Sequence, residues 1–102
     1  MPKLYTYFGL VVFFYSNEHY PVHVHGLYGE QESKAELTLE GSRVVGIRIV
    51  PVSGRAMLTG RPLEDFTVLV NARAQEIADK WNDYFVDNKR IQPQTITRRI
   101  KK

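Results

Sequence analysis

The spacing of apolar residues changes once along this chain, and that change limits what it can fold into. Up to about residue 50 the apolar side chains either run together or alternate with polar ones, as Ala35, Leu37 and Leu39 do with Lys34, Glu36, Thr38 and Glu40. A two-residue period turns one face of a strand to a core and the other to water. From about Glu64, Phe66, Leu69, Val70, Ile77, Trp81, Tyr84 and Phe85 recur at three- and four-residue steps, which marks one face of a helix. Strands followed by one helix predict an α+β fold in which a single sheet is covered by that helix.

Four strands are predicted. The first is Tyr5 to Tyr15, aromatic or β-branched almost throughout, with Gly9 marking a bulge or a close backbone approach. Ser16, Asn17 and Glu18 form a turn, and Pro21 forces an extended re-entry into a second strand from about Val22 to Tyr28. The third strand alternates through Glu40, and the fourth, after Gly41 and Ser42, carries Val45, Ile47 and Ile49. Short turns between consecutive strands make a four-stranded antiparallel meander. The expected layout is a sheet over 4–50, a loop over 51–63, one long C-terminal helix over 64–88 and a basic tail over 89–102. Glu64 and Asp65 suit a helix N-terminus, and Thr95 to Thr97 form a short final strand.

One domain accounts for all 102 residues, 1–102, since a chain of this length buries enough surface for a single core. A hydrophobic content of 43% with 25% charged residues excludes disorder. The absence of cysteine removes disulfides and thiolate zinc sites, and the expected location is a reducing cytoplasm. Phe8 to Tyr15 is about half the length of a bilayer span, so no membrane partner is expected. The net charge of +3 is divided unevenly: Lys89, Arg90, Arg98, Arg99, Lys101 and Lys102 hold six of the 14 basic groups and none of the 11 acidic ones. The tail is therefore +6 and the remainder −3, an asymmetry that points to an acidic partner, nucleic acid included. A solvated terminus would carry the same charges.

All three histidines, His19, His23 and His25, fall within seven residues. His23 and His25 share one strand face because the period is two, so two imidazoles stand side by side. Such a pair can bind one divalent metal, zinc, manganese or nickel, with His19 returned by the turn at Pro21 as a third ligand. A free position on that metal would activate water. Without a metal, His23 and His25 can serve as catalytic acid and base. The same pattern also fits a plain sheet in which Val22 and Val24 face the core and the histidines face water. Glu18, Glu30, Glu32 and Glu36 are near enough in sequence to orient a ring nitrogen. Acyl-enzyme chemistry is excluded, since there is no cysteine and Ser16, Ser33, Ser42 and Ser53 lie in no nucleophile motif.

These residues carry a family resemblance. Met1, Pro2 and Lys3 before the apolar strand, then Asn17, Glu18, His19, Pro21, His23, Val24 and His25, resemble a bacterial domain-of-unknown-function family, number 4160. Lys80, Trp81, Phe85, Val86, Lys89, Ile91 and Ile96 resemble the helix and tail of one of its branches. Many relatives have Pro and Phe where this chain has Val22 and Val24. The resemblance implies a small cytoplasmic protein encoded beside another small domain, in gene pairs similar to toxin–antitoxin modules, and implies no reaction.

Two functions are therefore expected. The first is a component of such a two-gene module that binds a protein partner from the neighbouring gene or nucleic acid through the basic tail. The second is a metal-dependent or histidine-dependent nuclease or hydrolase using His19, His23 and His25. An exposed sheet edge would also allow a homo-oligomer.

Overall fold

The computed structural model describes residues 2–101. Its first strand is not one strand. Tyr7 pairs with Leu10, leaving Phe8 and Gly9 as a two-residue turn, with φ of 50° and 85°. Positive φ at both centres is the type I′ form of a two-residue hairpin, whose twist matches that of the strands. Glycine takes this freely, and a Cβ on Gly9 would also come within 3.0 Å of the Tyr28 ring. Phe8 takes it under the Arg99 guanidinium, 4.0 Å from the ring centre. The predicted strand thus becomes a hairpin, β1 (Lys3–Tyr7) and β2 (Leu10–Phe13).

The other strands follow the predicted alternation as β3 (His23–Tyr28), β4 (Gln31–Glu40) and β5 (Arg43–Pro51), and β1 to β5 pair in sequence, all antiparallel. After the helix α1 (Gly60–Phe85), β6 (Gln94–Ile96) returns to lie parallel to β1, in the order β5-β4-β3-β2-β1-β6. Six strands stand in place of the expected four and the short final strand: the first is divided into β1 and β2, and β6 lies at the final strand expected over Thr95 to Thr97. Its parallel pairing makes the sheet mixed rather than purely antiparallel. The helix is long but is not the last element.

The helix begins four residues earlier than its apolar period suggests. Pro62 looks like the end of a loop, yet in a first turn its missing N–H leaves nothing unpaired. Glu64 and Asp65 therefore fall in the second turn, where Asp65 accepts from Arg61 (3.3 Å) and Arg99 (2.7 Å) instead of serving the N-terminus. Near Arg73 the backbone leaves helical values (φ −118°, ψ 17°). The helix ends at Phe85, and Asn88 follows at φ 55°.

Phe66, Leu69, Val70, Ile77, Ala78 and Trp81 bring the helix down on Tyr5, Tyr7, Leu10, Val12, Val24, Ala35 and Leu37. At Gly26 the approach is closest: a Cβ there would lie 2.6 Å from the Phe66 ring. The basic tail is folded against this body. Ile100 packs on the core and its N–H donates to the Tyr7 hydroxyl (2.9 Å), beside the Arg99–Asp65 pair. Among the described residues no helix is long and apolar enough to cross a membrane.

Candidate metal centre

On β3 the alternation sends Val24 toward the helix and His23 and His25 to the opposite face. That face is not wet at this point. Phe13 of β2 stacks on His25 with centroids 5.5 Å apart, and Tyr15 meets it edge-on at 4.5 Å. Trp81 reaches round from the helix to within 5.2 Å of the His23 ring. The two histidines are 6% and 5% exposed.

Their nitrogens are oriented one by one. The Nδ1 of His23 lies 2.7 Å from the Pro21 carbonyl oxygen. A carbonyl can only accept, so that nitrogen carries the proton and Nε2 of the neutral ring is a lone pair. The Nδ1 of His25 lies 3.0 Å from the Glu32 carboxylate, which also accepts from the Tyr15 hydroxyl at 2.9 Å. Glu32 is wholly buried, and its other oxygen, which takes no hydrogen bond, faces the Arg55 Nε at 3.5 Å. Its presence turns the second Nε2 in the same direction as the first.

Both Nε2 atoms converge on Glu18, whose two carboxylate oxygens lie 2.9 Å from His23 and 2.8 Å from His25. The Tyr15 amide donates to the same carboxylate at 3.3 Å. Burial pushes the His25 pKa below its ordinary value, the largest influence, against the opposing pull of Glu18. A carboxylate oxygen accepts, so without an ion each Nε2 stands at hydrogen-bond distance from Glu18; with both Nε2 atoms deprotonated, the same group presents two nitrogen lone pairs and a carboxylate to one cation. Donors bound at about 2.1 Å to one tetrahedral ion stand about 3.4 Å apart, so an ion would enter with a small widening of the two histidine–Glu18 contacts at 2.9 and 2.8 Å. The three donor atoms lie within 4.8 Å of one another.

The pair His23 and His25 is thus brought together, while His19 is exposed and outside the group; the third donor is Glu18, one residue earlier. Of the four glutamates considered as orienting groups, Glu32 holds a ring nitrogen, Glu18 faces both rings directly, Glu30 is exposed, and Glu36 bonds Arg48. Tyr15 and Arg55 complete the surroundings and carry no motif that spacing alone would reveal. Of the basic residues, Arg99 pairs with Asp65 and Lys89 lies 3.8 Å from Asp83, and Lys89, Arg90, Arg98, Arg99 and Lys101 are all exposed. Lys102 lies outside the described residues.

The fold and the site define a small α+β protein with two histidines and a carboxylate gathered on one sheet face. The chain belongs to the family described as domain of unknown function (DUF4160), which matches residues 9–82 and so includes every residue of this centre. No curated protein and no solved structure matches it.

Proposed function

We propose that Glu18, His23 and His25 bind one divalent metal ion and that the protein is a metal-dependent hydrolase. The observation that supports this is the convergence of two Nε2 atoms on one carboxylate, with each Nδ1 already engaged elsewhere. Three protein donors are the number that catalytic zinc sites use, leaving a position for water whose pKa the metal lowers to about 7. A metal-free acid–base pair is the weaker reading, because His25 has a carboxylate on each nitrogen and neither ring offers a free nitrogen to a substrate.

The test is metal content of the purified protein, followed by titration with zinc, manganese, nickel and ferrous ions. One equivalent should bind, and Glu18→Ala or the His23→Ala, His25→Ala pair should abolish binding while circular dichroism stays native. Cleavage of RNA and DNA is then assayed with the bound metal. Failure of every ion to bind overturns the centre; binding without turnover of either nucleic acid removes the nuclease.

A second reading is a non-catalytic binding component of a two-gene, toxin–antitoxin-like module. What favours it is the burial of both rings, which leaves little imidazole surface for a substrate to approach. In that case the metal would hold the 14–22 segment on the sheet, and removing it would lower stability without affecting any reaction.

A further inference from the structure

β3 is shorter than the strand it pairs with. Its partners on β4 run from Gln31 to Glu36, opposite Tyr28 and His23, and one further bond joins the Leu37 amide to the Val22 carbonyl. Beyond Val22 the preceding chain turns away at Pro21 and Tyr20, but β4 continues to Glu40. In an antiparallel strand alternate residues point their amide and carbonyl to the same side. Since Leu37 points toward β3, Leu39 does too, the register shift at Thr38–Leu39 being taken up by the extra Val45 on β5, and it faces a lane that no strand of the described residues occupies.

That lane is one wall of an open groove of about 1000 Å³ between the end of β4 and the last third of the helix. Its floor is apolar: Val22, Leu37, Leu39, Ala78 and Trp81. Its rim carries Glu36, Asp79 and Asp83 against a single lining cation, Arg48, which is already bonded to Glu36. Lys89 stands outside the lining, 3.8 Å from Asp83. Tyr20, 72% exposed, lies at the mouth. An unpaired strand edge recognises extended backbone, the floor recognises an apolar side chain, and the rim recognises positive charge. Phosphate backbones would be repelled by the same rim.

We infer that this groove binds an extended, basic segment of a partner protein, which adds to the free edge of β4 in the lane that β3 leaves. An alternating segment places an apolar side chain against Ala78 and Trp81 while flanking Lys or Arg residues reach Asp79, Asp83 and Glu36. The free edge beyond Leu37, from Thr38 to Glu40, spans about 10 Å at roughly 3.3 Å per residue, room for a short strand. This names the partner chemistry for the binding reading above, and its failure is read separately from that of the metal centre.

The test uses two short synthetic peptides, one alternating valine with lysine and one alternating valine with glutamate, added to isotopically labelled full-length protein. The lysine peptide should shift the Leu39 amide and the Trp81 indole signals, and do so less as salt is raised. The glutamate peptide should leave them in place. The Asp79→Lys, Asp83→Lys variant, altered at the helix surface with its metal binding retained, should bind the lysine peptide at least about tenfold more weakly. Tyr20→Ala provides a second check away from the helix and should also weaken binding. Equal binding of the two peptides, shifts elsewhere, or no shift at millimolar lysine peptide would overturn the inference. So would self-association of the wild type that Tyr20→Ala disperses, which would make the occupant a second copy of this chain.

Discussion

Val24 and His25 are neighbours on β3 and both are buried, yet they face two different interiors. Val24 lies in the apolar layer under the helix, where Phe66 sits over Gly26 and most side chains carry no polar atom. The Tyr5 and Tyr7 hydroxyls there bond Glu76 and the Ile100 amide, and the buried Trp81 Nε1 has no hydrogen-bond partner among the described residues. His25 lies in a polar layer of aromatic rings and carboxylates, where each ring nitrogen has an assigned neighbour. The first layer is held by volume and the second by matched donors and acceptors. Burial alone does not say which kind of interior a residue is in, and the two should respond differently to substitution.

The largest effect is expected where volume decides. Phe66→Ala should lower unfolding free energy by about 3–5 kcal/mol, read from urea denaturation, because a buried ring leaves a cavity under the helix. Gly26→Ala should destabilise by about 1–3 kcal/mol for the opposite reason, since the added methyl meets that ring. If it is tolerated without loss, the apolar layer is looser than described.

In the polar layer the loss should come from stranded donors. Glu32→Ala leaves the His25 Nδ1–H and the Tyr15 hydroxyl without an acceptor and should cost about 1–3 kcal/mol. It should also weaken metal affinity about 10- to 100-fold, as expected when a group orienting a ligand is lost. Isothermal titration against zinc reads the second effect. A stability loss with unchanged affinity would mean that Glu32 supports the fold and not the centre.

The smallest effect belongs to the exposed pair Arg48–Glu36, where neither interior is involved. The Arg48 guanidinium holds the Glu36 carboxyl below its usual range. The folded chain therefore favours the ionised form, and the pair stabilises above the ordinary carboxylate pKa of about 4.3. That contribution is lost as pH falls through the folded value. Arg48→Ala should cost less than about 1 kcal/mol at neutral pH, with the difference from wild type disappearing in acid.

Periodicity made the helix face and the strands β3 to β5 legible, because burying one side of an element repeats at its own geometric period. It did not separate β1 from β2, since a turn made of Phe8 and Gly9 continues the apolar run without a polar break. It also placed the helix start after Pro62, when proline is as much at home in a first turn as in a loop. At the centre, the two-residue spacing of His23 and His25 was readable and their covering was not, because the ring that stacks on His25 belongs to β2 and the carboxylate on its Nδ1 to β4.

The sequence by itself determined the class of fold, the side-by-side histidine pair and the lack of thiol chemistry, all of which follow from residue types and short-range periods. The tertiary structure alone decided that Glu18 and not His19 completes the group, that Glu32 is buried behind it, and that much of the basic tail is folded onto the body. Those outcomes depend on where a turn aims a side chain and which strands become neighbours, and neither is a property of spacing along the chain.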